Sequence, residues 1–172
     1  MTRSTNLNAR LLLTIASLTF ASLSTGCLYG DTDYVTFKGP PSGEAFTPVS
    51  GVLERRCGTL DCHGSIYRPL RIYGQGGLRI PGVSNYSGGA PTTTNELTAN
   101  YQAAISLEPE IMQLVLSKDD YPDQLTLIRK PLLLEKHKGG PVLSRQSAGY
   151  KCLVNWLAPQ AGFDVKTCDA EK

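Results

Sequence analysis

The sequence contains few of the residues and motifs that carry enzyme chemistry or bind nucleic acid. Its 172 residues include only two His, two Met and one Trp. The nucleophile elbow of serine hydrolases, the phosphate-binding loop and the zinc-protease motif are all absent from the sequence. The 17 Lys and Arg nearly balance the 15 Asp and Glu, and they form no basic tract of the kind that binds nucleic acid. We therefore expect neither an enzyme nor a nucleic-acid-binding protein.

Long apolar runs are equally scarce, and the clearest one lies near the start of the chain. Arg3 and Arg10 precede the apolar stretch Leu11–Leu23, an order that is typical of a signal peptide. As a helix this stretch would span about 20 Å, less than the roughly 30 Å of hydrocarbon in a bilayer. We interpret residues 1–26 as an export signal. Without them the chain has equal numbers of basic and acidic residues, so the slight basicity belongs to the signal.

The end of this segment predicts a lipid anchor. The pair Gly26-Cys27 resembles the end of the lipobox of bacterial lipoproteins, in which the Cys thiol is acylated, although Ser24 stands where an aliphatic residue is usual. The resemblance implies an outer-membrane lipoprotein of the bacterial envelope that faces the periplasm and is held to the membrane through Cys27. A secreted protein with a free Cys27 is the alternative. After export, cysteines are expected in disulfides, lipid anchors or cofactor attachments.

The rest of the chain predicts a tethered, mainly α domain. Residues 27–44 are polar and contain Gly and Pro, so we interpret them as a flexible tether. A folded domain is expected over residues 45–168, with a tail at 169–172. The 17 Gly and 11 Pro predict long irregular loops between short helices.

Four segments carry helix signals. Thr47 and Pro48 predict a cap and first position for a helix that ends near Arg56. The other three signals are a capping box at Thr93–Glu96 for a helix to about Ile105, a first-turn proline at Pro109, and an apolar face that starts near Ser147.

The most specific motif is Cys57-x-x-x-x-Cys62-His63. Covalent attachment of haem needs two thiols, each of which forms a thioether with one vinyl group, and a following His that reaches the iron. The usual spacing is C-x-x-C-H, so two extra residues must bulge out here, which Gly58 makes easier. The motif predicts one covalent haem c with His63 as its proximal ligand.

Three other interpretations of this motif stay open. Cys57 and Cys62 could form disulfides, with His63 merely a nearby polar residue. Cys57, Cys62, His63 and His137 could together bind zinc, for which a C-x4-C spacing is marginal. The motif could also be the remnant of a haem site that no longer binds its cofactor.

Four short motifs occur in the order found in a known group of domains. They are Cys-His-Gly at 62–64, Gly-Gly-Leu-Arg-Ile at 76–80, a Leu- and Arg-containing segment at 123–129, and Leu-Val-Asn-Trp-Leu-Ala-Pro-Gln-Ala at 153–161. Together they resemble the cytochrome-c-like domains of planctomycete and related bacterial exported proteins, over roughly residues 46–163. The resemblance implies a small class I cytochrome-c-like helical domain with long irregular loops.

The resemblance departs from the family at the second iron ligand. Those domains commonly supply a Met from a Met-Pro-Pro loop before the last helix, whereas this chain has Glu-Lys-His-Lys-Gly-Gly-Pro at 135–141. His137 stands in the matching place and is therefore the candidate distal ligand. The alternative is a solvated His between two lysines. Met112, the only Met after the signal, is expected in the apolar core.

The remaining pair, Cys152 and Cys168, flanks the end of the last predicted helix, and we expect a disulfide that fixes the tail to it. The predicted function is that of an envelope-anchored c-type haem protein that carries out one-electron transfer with an unknown redox protein. The alternative is a non-catalytic structural envelope lipoprotein with disulfides and no cofactor. A haem enzyme such as a peroxidase is a third possibility.

Overall fold

Regular structure is almost entirely helical in the parts of the chain that the computed structural model describes, which are residues 41–82, 89–118, 120–158 and 164–169. The helices are α1 (Phe46–Arg56), α2 (Thr94–Ile105), α3 (Pro109–Ser117), α4 (Thr126–Arg129), α5 (Ala148–Leu157) and α6 (Val165–Asp169), with a 3-10 turn at Pro122–Gln124. An isolated β bridge joins Tyr73 and Leu78. The prediction of a mainly α protein is confirmed.

Local signals locate three of the helix starts. The Thr93 hydroxyl accepts from the Glu96 N–H while the Glu96 carboxylate accepts from the Thr93 N–H, so the predicted capping box is formed. Pro109 occupies the first turn of α3. The Ser147 hydroxyl accepts from the Tyr150 N–H at the start of α5.

The predicted start of α1 is wrong. The helix begins at Phe46, so Thr47 lies inside its first turn, and the residue before it, Ala45, offers no side-chain cap. Phe46 is buried, and its ring lies 5.4 Å from that of Tyr101 and 5.1 Å from that of Trp156, measured between centroids. Aromatic pairs at such distances add to the gain from burial. Packing of Phe46 therefore decides where the helix begins.

The core lies where α1, α2, α5 and α6 meet. Apolar side chains of α1 and α5 are almost completely buried there, namely Val49, Val52, Leu53, Leu153, Trp156 and Leu157. Burial of one such side chain stabilises the fold by roughly 1.5–3 kcal/mol relative to exposure. Met112 of α3 is also buried, as the sequence predicts.

The C-terminal part of the domain is cross-linked to α5. Cys152 and Cys168 are both buried and form a disulfide with their Cα atoms 4.9 Å apart. Cys168 lies on α6, a helix that the sequence did not predict, and α6 contacts both α5 and α1. The segment beyond α5 is thus part of the core.

Contacts with the core extend at least four residues before the predicted domain boundary at residue 45. The Tyr101 hydroxyl donates to the Pro41 carbonyl at 3.0 Å, and the Trp156 indole N–H donates to the Ser42 carbonyl at 3.3 Å. The predicted signal (1–26), Cys27 and most of the tether lie outside the described residues. In the described ranges no helix has the length and apolar character needed to cross a membrane.

Buried polar contacts attach the irregular segment around residues 72–80 to α1 and α2. Asn100 accepts from the Tyr73 N–H and donates to the Tyr73 carbonyl, both at 2.7 Å, and donates to the Ser50 hydroxyl at 3.0 Å. Arg79 and Glu96 form a fully buried ion pair at 2.8 Å. Because every group in these contacts is paired, the segment is held firmly against the helices.

Candidate functional site

The C-x4-C-H segment folds back onto the end of α1. The Cys57 N–H still donates to the Leu53 carbonyl at 2.8 Å, so Cys57 continues the helical hydrogen bonding. The Cys57 carbonyl then accepts from the His63 N–H at 2.7 Å, and the Thr59 carbonyl accepts from the N–H groups of both Cys62 and Gly64. These bonds close residues 57–64 into a compact loop. The two extra residues of the motif are accommodated inside it.

Three glycines allow this loop to pack against the Gly76-Gly77 turn. A Cβ atom placed on Gly64 would lie 1.9 Å from the Gly58 carbonyl oxygen, and one on Gly77 would lie 1.8 Å from the same oxygen. Real Cβ atoms do not approach backbone that closely, so neither position tolerates a side chain without movement of the loop. Gly77 is therefore a packing requirement of the Cys-His loop, whereas a Cβ atom on Gly76 would meet no atom within 4 Å.

Both cysteines of the motif are free, half-buried thiols. The disulfide between Cys57 and Cys62 that the sequence left open is therefore not formed in the structure. Burial, reinforced by the nearby Cys62, raises the pKa of the Cys57 thiol to about 12. Cys57 is thus held in its protonated form at neutral pH.

His63 is oriented by a backbone carbonyl. Its Nδ1 lies 2.9 Å from the Leu70 carbonyl oxygen, which can only accept, so Nδ1 carries the proton and Nε2 keeps a free lone pair. Desolvation lowers the pKa of His63 against the opposing effect of the Leu70 bond, and the nearby His137, Arg68 and Lys130 lower it further. The ring is therefore neutral, which is the form that binds metals.

His137 is oriented in the same way on a different loop. Its Nδ1 lies 2.9 Å from the Gly140 carbonyl oxygen, and its own carbonyl accepts from the Gly140 N–H at 3.1 Å. Gly140 has φ +74°, a left-handed conformation that glycine adopts at little cost. The tight turn after His137 therefore leaves its Nε2 free as well.

The structure brings the two histidines together. The ring centroids of His63 and His137 lie 6.3 Å apart, with only 10° between the ring planes. The two loops thus bring one imidazole nitrogen donor each, the Nε2 of His63 and that of His137, to the same part of the domain. The donor chemistry of the site, two thiols and two imidazoles with available Nε2 atoms, fits a haem with two His ligands.

A tetrahedral zinc site has no comparable support. Among the residues that the structure describes, no group of three or more His, Cys, Asp or Glu is close enough to bind a metal ion. Structural zinc sites need four such ligands. The two thiols and the two imidazoles of the site therefore do not form such a group of four ligands.

Exposed apolar side chains are frequent in the two chain segments that carry the histidines, residues 55–71 and 129–145. The described residues have eight exposed large apolar side chains, and five of these belong to the segments that carry His63 and His137. They are Leu60, Ile66, Tyr67, Leu133 and Leu134.

Sequence reasoning missed the groups that orient the two ligands. The carbonyl oxygens of Leu70 and Gly140 carry no sequence signal, since every residue has one. Arg68 was missed too, although it donates to the carbonyls of Cys62 and Asp61, both at 3.1 Å, and so fixes the Cys-His loop. A basic residue shortly after the motif is the signal that could have drawn attention to it.

No protein-family model, no curated protein and no solved structure matches this chain.

Proposed function

We propose that this protein is an envelope-anchored c-type haem protein that carries out one-electron transfer. One haem would be attached through Cys57 and Cys62, with His63 and His137 as the two iron ligands, in a class I cytochrome-c-like domain. A lipid on Cys27 would hold the protein to the membrane. The observation that supports the proposal most directly is the near-parallel pair of imidazoles, 6.3 Å apart, beside two free thiols.

The free state of the thiols suits covalent attachment. Addition of each S–H across a vinyl double bond forms one C–S bond and one C–H bond, so the reaction consumes no oxidant. It does require reduced cysteines, and a Cys57–Cys62 disulfide would prevent it. Cys57 is half-buried beside Cys62, and its thiol is protonated. Because the thiolate is the form that attacks disulfides, a protonated thiol reacts slowly with them, which helps Cys57 to stay reduced.

The two histidines favour electron transfer over the alternatives. Haem supplies an Fe(II)/Fe(III) couple, and two His ligands leave no open position for a peroxide or another small ligand. Two nitrogen ligands also favour a lower reduction potential than the His/Met pair of many c-type cytochromes. The neutral ring of His63 and the anchored ring of His137 keep both ligands in place through the redox change. The partner is an unknown redox protein of the envelope.

Haem staining of a denaturing gel tests the proposal. The full chain is expressed together with a c-type haem maturation system, and covalently bound haem is detected in the resolved band. We expect a stained band for the natural chain and for Cys27→Ser, whereas Cys57→Ser/Cys62→Ser remains unstained. A colourless band from a correctly folded natural chain would overturn the proposal.

Two further measurements separate its parts. If His137 is the second ligand, the oxidised protein lacks the charge-transfer band of methionine ligation, and His137→Ala converts the iron from low spin to high spin. Presence of the methionine band would exclude His137.

The lipid anchor is tested separately by cell fractionation. Cys27→Ser is expected to move the protein from the membrane fraction to the soluble fraction, and unchanged fractionation would exclude lipidation.

A further inference from the structure

The loop that carries His137 has an unfavourable backbone conformation. It follows α4, which ends at Arg129, and contains no regular structure before α5. Leu133 in this loop has φ +57°, in the left-handed region that branched apolar residues rarely adopt. Such a conformation persists only where surrounding interactions hold it in place. The loop therefore requires anchoring contacts.

Arg129 supplies the main anchor. Its Nε donates to the Glu135 carboxylate at 2.6 Å, and Lys130 forms a second ion pair with the same carboxylate at 3.1 Å. One terminal nitrogen of Arg129 donates to the Gln124 carbonyl at 2.6 Å. Hydrogen bonds between charged groups are about twice as strong as neutral ones. Glu135 lies two residues before His137, so fixing Glu135 also fixes the position of the His137 backbone.

The other side of Arg129 reaches a fixed part of the fold. Its second terminal nitrogen lies 3.3 Å from the Glu108 carboxylate, which also accepts from the Thr126 hydroxyl at 2.6 Å. Glu108 immediately precedes α3, and Thr126 begins α4. Arg129 thus connects two helix starts to the His137 loop through a single rigid guanidinium group.

We infer that Arg129 and Glu135 are positioning residues for His137, which hold its imidazole parallel to that of His63. Only the role of His137 as an iron ligand rests on the proposed function. The geometric part of the inference, that this ion pair fixes the loop, does not depend on haem.

Hydrogen exchange tests the geometric part with or without cofactor. Two amides of the loop region report on its closure, because the Gly140 N–H donates to the His137 carbonyl and the Leu143 N–H donates to the Pro131 carbonyl. In Arg129→Gln and in Glu135→Gln we expect these amides to exchange about tenfold faster, while the amides of α5 are unchanged. Lys136→Gln is the matched control, because it removes a neighbouring charge that has no hydrogen bond or ion pair with the residues that the structure describes.

A spectroscopic readout in the haem-loaded full chain separates positioning from general stability. Both variants are expected to gain a high-spin fraction and to bind carbon monoxide in the reduced state about tenfold faster than the natural chain. Lys136→Gln is expected to match the natural chain. Unchanged exchange of Gly140 and Leu143 in both variants would overturn the inference. A natural chain without haem would instead contradict the proposed function, and the exchange rates would still decide whether the ion pair fixes the loop.

Discussion

Among the described residues, the helical frame of α1, α2, α5 and α6 exposes one large apolar side chain, Val165, whereas two segments, residues 55–71 and 129–145, expose five. We call these two the histidine segments. The frame is held by packing and by a disulfide. The histidine segments contribute Leu70 and Leu143 to the core and are also held by backbone hydrogen bonds, close glycine contacts and partly exposed ion pairs. The frame therefore carries the stability of the domain, and the histidine segments carry the arrangement of the site.

Charge divides the chain in the same way. The histidine segments contain nine basic and two acidic residues, a net charge of +7. The rest of the chain after residue 26 contains six basic and thirteen acidic residues, a net charge of −7. Arg68 from one segment and Lys130 from the other both act on His63, so part of this positive charge lies near the site. A net charge of zero after the signal thus conceals a strong separation.

The largest expected effect is on the buried ion pair that supports the frame. Glu96→Gln keeps the shape of the side chain but removes the carboxylate that pairs directly with the buried Arg79 guanidinium. We expect a loss of about 3–5 kcal/mol in the free energy of unfolding, measured by chemical denaturation. Glu110→Gln, on the exposed first turn of α3, is the control and should differ little from the natural chain.

The same pair makes stability depend on pH. Burial alone would raise the pKa of Glu96, but hydrogen bonds from Arg79, Thr93 and Ile80 outweigh it and lower the pKa to about 2. A lowered pKa contributes stability above the ordinary value of 4.5, and that contribution is lost as the pH falls from there towards 2. The free energy of unfolding, measured by denaturation between about pH 6 and about pH 2, should therefore decline as the pH falls. The decline should be smaller in Glu96→Gln.

Removal of the disulfide is expected to have the next largest effect on the frame. Cys152→Ser/Cys168→Ser should lower the free energy of unfolding by about 3 kcal/mol, because the cross-link no longer restricts the unfolded chain. Haem attachment to the folded fraction should be unchanged, since neither residue lies in the histidine segments. A loss of attachment in the folded double variant would show that frame and site are not separable.

Two adjacent glycines provide a smaller and sharper comparison. Gly77→Ala places a Cβ atom against the Gly58 carbonyl and should destabilise the domain by about 1–3 kcal/mol, with a lower yield of attached haem. Gly76→Ala meets no atom within 4 Å and should be neutral. Thermal unfolding and haem staining of both variants measure the difference. Equal behaviour of the two variants would contradict the close packing of the Cys-His loop.

The smallest expected effect concerns the separated charges. Because the histidine segments are positive, an anionic oxidant such as ferricyanide should react with the reduced protein faster than a cationic reagent of similar potential. The ratio of the two rates should fall towards one as ionic strength rises, since the Debye length shortens to about 3 Å in 1 M salt. Stopped-flow measurements at several salt concentrations would show this. A ratio that does not change with salt would contradict a positive site.

Structural features that depend on neighbouring residues could be predicted from the sequence, whereas features that depend on residues far apart in the chain could not. The capping box at Thr93 depends on four consecutive residues, and it was predicted correctly. At the start of α1, Phe46 packs against Tyr101 and Trp156, which lie far along the chain. The local signal at Thr47 therefore gave the wrong start for this helix. Helix α6 has only five residues, too few to show an apolar period, and lies against α5 and α1 with a disulfide at Cys168.

The candidate site was predictable to a similar degree. The thiols and His63 lie in one short motif, so they could be recognised directly. His137 lies 74 residues further on, and only the order of several motifs pointed to it. The ion pairs of Arg129 and the carbonyls of Leu70 and Gly140 depend on three-dimensional geometry that no spacing encodes.

The hydrogen bonds from the Nδ1 atoms of His63 and His137 to backbone carbonyls also fix where the proton of each ring lies. Each imidazole N–H, at 2.9 Å from a backbone carbonyl, is already engaged with an acceptor that cannot take up its proton. The two bonds therefore fix which nitrogen of each ring is free, so that a metal held at this site would meet the same Nε2 donor of each histidine in either of its charge states.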